Sequence, residues 1–249
     1  MGILAALLLA AVSQVKAKAL RIQCAHNLGQ LGIGLQAFAT DYGGYPLALG
    51  PTNASQGYWM SAMRSAELSP PGNTTKRIKF SEWMGQGVWN CPARNPGTSW
   101  PTNRFFMSYG YNAMGLSDVT DTNGFLGLGG HYRVAVDWGN GLRKIFDSPV
   151  KESEIASPAE MMAIGDGFIG DQDRIQDGQM VMQRTASVTN FAEDLHNTQR
   201  SNARHQGKAN VVFCDGHVES PTLQFLFADT GDAALARWNR DHLPHRDKL

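Results

Sequence analysis

The chain opens on an uninterrupted apolar run. Residues 1–12 read MGILAALLLAAV, uncharged throughout. Lys16, Lys18 and Arg21 close the run, as basic residues do at a membrane surface. The pattern then changes but keeps its helical spacing. Ala25, Leu28, Leu31, Leu35 and Phe38 recur at intervals of three and four, an apolar stripe on one face of a helix. Gln23, Asn27, Gln30 and Gln36 fall mostly off that stripe. No proline interrupts residues 1–40. Gly29, Gly32 and Gly34 each weaken an exposed helix by about 1 kcal/mol, so packing must compensate. Asp41-Tyr42-Gly43-Gly44-Tyr45-Pro46 supplies the Gly-then-Pro punctuation that ends a helix. The pattern therefore predicts one helix of about 40 residues, roughly 60 Å long at 1.5 Å per residue. Its first half is apolar all round and its second half is amphipathic. A filament subunit needs such an element: the apolar half sits in a bilayer or a filament core and the amphipathic half carries a globular head.

The rest reads as a turn-rich head. Short helices are predicted within residues 54–65 and 80–84. Strands are predicted at Phe105–Tyr111, Arg133–Trp138, Glu160–Ile164 and Val211–Phe213, by β-rich apolar runs bounded by turn residues. Asp215-Gly216 between Val-Val-Phe-Cys and His217-Val218-Glu219 predicts a hairpin, because a tight turn needs the positive φ that Asp-Gly supplies. The segment from Trp238 to Leu249 is polar and basic and is expected at the surface.

Composition narrows the function. Lys+Arg and Asp+Glu are both 22 in 249 residues, so the formal net charge is zero. A balanced chain has no bulk attraction for nucleic acid, and no nucleic-acid partner is expected. The apolar opening falls about eight residues short of a membrane-spanning helix. Three cysteines are too few for a disulfide scaffold. There is no Gly-x-Ser-x-Gly, no His-Glu-x-x-His and no phosphate-cradling glycine loop.

Three residue groups carry candidate chemistry. His205, Asp215 and His217 are the types found in metal or acid–base sites; the structural alternative has Asp215 bonding turn amides and His205 bonding a backbone carbonyl. Asp166, Asp171 and Asp173 lie in an acidic, glycine-containing stretch, with Asp177-Gly178 beyond. Such loops offer oxygen ligands to Ca²⁺, although the spacing is not that of an EF-hand. Tyr58, Trp59, Trp83, Trp89 and Trp100 are core anchors or, alternatively, a sugar-stacking platform.

The stretch ALLLAAVSQVKAKALRIQCAHNLGQLGIGLQAFATDYGGYP resembles the pseudopilins related to type II secretion and type IV pili. It is closest to the bacterial group with a prepilin-type N-terminus and a C-terminal His-x9-Asp-Gly motif. Lys16, Lys18, Cys24, Asn27-Leu28 and Gln30-Leu31-Gly32 follow that group's order. Nine residues separate His205 from Asp215-Gly216, which fits the motif. Cys91-Pro92, Ser108-Tyr109-Gly110-Tyr111-Asn112, Ser157-Pro158 and Arg237-Trp238-Asn239-Arg240-Asp241-His242 fit between and beyond. The family's basic leader and its Gly-Phe-Thr-Leu-Ile-Glu cleavage region do not occur here, where the first glutamate is Glu67. The natural protein is therefore expected to extend upstream of Met1.

The resemblance implies an α+β, type IV pilin-like fold: a long N-terminal helix (residues 1–42) packed on an antiparallel β-sheet head (residues 43–249, with the motif at 205–216). It implies a non-enzymatic, structural subunit of a type II secretion or pilus-like apparatus. The partners would be other pseudopilins and the secretion apparatus. The helix would sit in the inner membrane, with the head in the periplasm or at the cell surface. It implies that Cys24 and Cys91 form a disulfide between helix and head in an oxidising compartment; the alternative is two buried thiols, and Cys214, in an apolar strand, reads as a free core residue. Some related pseudopilins order their heads with Ca²⁺. The alternatives are a helix-anchored carbohydrate-binding module and a metal-dependent hydrolase using His205, Asp215 and His217.

Overall fold

The computed structural model describes residues 2–48, 59–68, 87–93, 108–117, 124–137, 141–166 and 205–249. One continuous helix, α1, runs Gly2–Tyr42. It ends where the punctuation predicts, with Gly43 at φ 73°, the left-handed cap that closes a helix without a Cβ penalty. A second helix, α2, spans Trp59–Leu68, and a 3-10 turn spans Gly87–Trp89. The strands are β1 (Tyr109–Tyr111), β2 (His131–Asp137), β3 (Gly141–Ser148), β4 (Met162–Asp166), β5 (Val211–Phe213) and β6 (Val218–Glu219). Two short helices follow, α3 (Leu223–Phe227) and α4 (Asp232–Ala236).

The architecture is α+β. Four strands form an antiparallel sheet in the order β1-β4-β5-β6, and β2 and β3 pair as a separate antiparallel ribbon. The predicted Asp215-Gly216 turn joins β5 to β6, with Gly216 at φ 89°. The predicted strand at 160–164 starts two residues later, at Met162. The strand β3 has no counterpart in the predicted elements, although Asn140-Gly141 is a hairpin signal between two β-rich runs. The predicted helix at 80–84 lies outside the described residues.

Helix α1 seats on the sheet through Cys24, Leu28, Leu31, Leu35 and Ala39, all buried, and contacts β4, β5 and β6. The buried face is turned slightly from the expected stripe. Ala25 and Phe38 are only partly buried, whereas Asn27 is buried and donates from Nδ2 to the carbonyl of Asn90 at 3.0 Å. Each buried leucine contributes about 1.5–3 kcal/mol, against about 1 kcal/mol lost at a helical glycine. Packing therefore outweighs the glycines. Gly32 also permits close approach, since a Cβ there would meet Val212 Cγ2 at 2.5 Å.

The sheet is covered on both faces. Along β5, Val212 joins the core under α1, with Tyr109, Tyr111 and Ile164. Val211 and Phe213 join a second core with Met162, Leu116, Leu223, Leu226 and Trp238. Burial on both faces accounts for the unbroken apolar runs in β4 and β5. It also corrects the start of the C-terminal segment expected at the surface: Trp238 and Asn239 are buried, whereas residues 240–249 are partly or fully exposed. Asn112 Nδ2 bonds the carbonyls of Met162 and Trp238 at 2.8 and 2.9 Å, stitching this segment to the sheet.

The described side chains at residues 8, 9 and 11–16 of α1 make no such seat. Residues 11–16 are all exposed. Six successive positions cover every face of a helix with 3.6 residues per turn. Leu9 is 73% and Val15 66% exposed. Among the described residues, no helix is long and apolar enough to cross a membrane.

The seat predicts an opposed pair of substitutions. Gly32→Ala should destabilise the protein by about 1–3 kcal/mol through overpacking. Gly29→Ala, whose added Cβ would meet only Val218 Cγ2 at 3.8 Å, should be neutral or stabilise by up to about 1 kcal/mol. Urea denaturation of both variants reads the difference.

Candidate functional site

Four residues far apart in sequence meet beneath α1. Cys24 is the first buried residue of the helix seat. Cys91 follows the 3-10 turn at Gly87–Trp89, which is tied to the helix by the Asn27–Asn90 bond and to β1 by Ser108 Oγ donating to Asn90 Oδ1 at 2.8 Å. Asp166 ends β4, opposite Tyr109 of β1. His205 stands in the turn that feeds β5, where Gln206 and Gly207 take positive φ of 57° and 78°. All four are buried, none more than 1% exposed.

Their polar atoms converge. His205 Nε2 lies 3.1 Å from Asp166 Oδ2 and 3.3 Å from Cys91 Sγ. Cys24 Sγ donates to Asp166 Oδ1 at 3.3 Å and lies 3.3 Å from the Tyr109 hydroxyl. The backbone N–H of Asn210 donates to Asp166 Oδ2 at 2.8 Å. One donor atom from each of the four residues lies within 4.8 Å of the others. The group could hold a metal ion.

Electrostatics follow from the burial. Burial alone would push the His205 imidazole down. Its hydrogen bonds to Asp166 and Cys91, and the Asp166 charge, more than offset this and hold its pKa up at about 9. The Cys24 thiol is held far above its ordinary range by its hydrogen bond with Cys91, then by burial and the nearby Asp166 charge. Burial, with the same neighbours, does likewise for Tyr109. Without a metal the site therefore holds a His205–Asp166 ion pair and a protonated Cys24. One polar atom is unsatisfied: His205 Nδ1 is buried with no hydrogen-bond partner.

These four residues fall in three different groups in the sequence reading. His205, Asp215 and His217 do not form one site. Asp215 and His217 sit exposed on the β5–β6 hairpin and pair with each other, His217 Nδ1 to Asp215 Oδ1 at 2.6 Å. Asp215 also accepts from the His217 backbone N–H at 3.1 Å, the expected turn role. His205 bonds a carboxylate rather than a backbone carbonyl. Asp166 is not a ligand on a solvated loop: its side chain is fully buried against His205. Two sulfurs and an imidazole do not suit Ca²⁺, which takes six to eight oxygen ligands. Asp171 and Asp173 lie outside the described residues. Cys24 and Cys91 are thiols, not a disulfide, and Cys214 is likewise a buried thiol. Trp59 and Trp89 are buried, 6.1 Å apart between ring centroids; Tyr58, Trp83 and Trp100 lie outside the described residues.

No family model, curated protein or solved structure matches the chain.

The ion pair gives stability a pH dependence. A pKa raised to about 9 from an ordinary 6.5 means that the folded state binds the proton more tightly than the unfolded chain. The stabilisation is complete below about pH 6.5 and is lost as pH rises through about 9. Urea midpoints in the presence of a chelator should fall across that window. In His205→Gln the fall should be absent.

Proposed function

We propose that this chain is a structural subunit of a pilin-like envelope assembly: a pseudopilin of a type II secretion or pilus-like apparatus, with a type IV pilin-like fold. It assembles through its N-terminal helix with copies of itself or with other pseudopilins. Its apolar end is sheltered in the inner membrane or in the bundle of neighbouring helices, and its head lies in the periplasm or at the cell surface. The observation that carries this reading is the exposure of residues 11–16, Ala-Val-Ser-Gln-Val-Lys, on every face of α1 at the end of the apolar run. Leu8, Leu9, Val12 and Val15 are each at least 60% exposed. A soluble domain buries such residues when it can, because each is worth about 1.5–3 kcal/mol once removed from water. The head leaves residues 8, 9 and 11–16 exposed, and covering them falls to lipid or to other helices. Lys16 and Lys18, both exposed, sit at the junction, where a membrane surface would meet them.

The test is association of the whole chain. Sedimentation should show concentration-dependent oligomers in buffer, or binding to phospholipid vesicles by flotation. The double variant Leu9→Lys and Val12→Lys should reduce either by tenfold or more while leaving the melting temperature of the head unchanged. A parent protein that stays monomeric at high concentration and ignores vesicles would overturn the proposal.

A further inference from the structure

The geometry points to a structural zinc site: we infer that Cys24, Cys91, Asp166 and His205 bind one Zn²⁺ that pins α1 to the head. This inference is independent of the assembly reading, which concerns the helix before Lys16.

The donor set is the first argument. Two thiols, an imidazole and a carboxylate suit a borderline-soft ion that takes four ligands. The distances are the second. Zn–S bonds of about 2.3 Å and Zn–N or Zn–O bonds of about 2.0 Å place tetrahedral S···N and S···O edges at about 3.5 Å. The corresponding separations are 3.3 Å for Cys91 Sγ to His205 Nε2 and 3.3 Å for Cys24 Sγ to Asp166 Oδ1, with Oδ1 the ligand oxygen; the other carboxylate oxygen, Oδ2, accepts from the Asn210 N–H and lies 3.1 Å from His205 Nε2. Each of the two edges to sulfur needs an opening of only about 0.2 Å to admit the ion. The outer partners are the third argument. The Tyr109 hydroxyl beside Cys24 Sγ and the Asn210 N–H on Asp166 are the kind of contacts that orient ligands and offset their charge.

Binding displaces the two thiol protons and the proton on His205 Nε2 to solvent. The ion with two thiolates, one carboxylate and a neutral imidazole then carries one net negative charge, facing those two donors. Four protein ligands leave no position for water or substrate, so the role is structural rather than catalytic. All four residues are at most 1% exposed, so the ion enters as the chain folds. The ligands come from α1, from the segment after the 3-10 turn, from β4 and from the turn before β5. One ion therefore joins the helix to three parts of the head.

The test begins with the whole chain isolated without chelators. Elemental analysis should find one zinc per chain, and non-reducing mass spectrometry should find Cys24 and Cys91 as thiols. Refolding with Co²⁺ should produce the near-ultraviolet bands of thiolate-bound cobalt. Cys24→Ser should lose the metal. Tyr109→Phe keeps the ring packing and removes only the hydroxyl; it should weaken zinc binding about 10–100-fold in a chelator competition. A Cys24–Cys91 disulfide in metal-free protein overturns the inference. So does the absence of bound metal after refolding with excess Zn²⁺, or zinc retained undiminished in both variants.

Discussion

The structure depends on one packing constraint: a glycine-marked face of α1 pressed against β5. Gly32 leaves room for Val212, and Leu28, Leu31 and Leu35 fill the space on either side. That contact sets the depth at which the helix sits. With the depth fixed, Cys24 reaches Asp166, and Asn27 reaches the loop that carries Cys91. The site therefore follows from the seat. A helix lifted by the width of a methyl group would still cover the sheet but would draw the Cys24 sulfur away from the carboxylate of Asp166.

The same helix serves two environments. From Cys24 onward its buried positions recur at three and four residues, and the head covers them. Before Lys16 the described side chains, at residues 8, 9 and 11–15, are all exposed. The transition needs no break in the backbone, since helix hydrogen bonds are internal and indifferent to what surrounds them. What changes is only which side chains have somewhere to go.

Periodicity made the helix legible, and local turn chemistry made the β5–β6 hairpin legible, because both signals lie within a few residues of each other. The tilt of the buried face was not legible. Asn27 is polar and looks like a surface residue until Asn90 is seen to accept its hydrogen bond. Trp238 was misplaced for a related reason. It is embedded among charged neighbours, and nothing local shows that the far face of the sheet needs covering. The four-residue cluster was legible only as fragments. Cys24, Cys91, Asp166 and His205 each stood out, but the positions are separated by 67, 75 and 39 residues in sequence. No spacing rule joins residues brought together by a helix, two loops and a strand. The Asp215–His217 pair shows the converse. Residues two apart in sequence form an exposed couple, while the histidine of the same motif is buried.

The strand β5 is only three residues long, yet its side chains alternate between the two cores. Neither layer can come apart while the other stays whole, because the shared ribbon would lose its support on one side. Loosening of the helix therefore propagates to the C-terminal layer around Trp238. The two cores that share β5 are therefore expected to open together rather than one after the other.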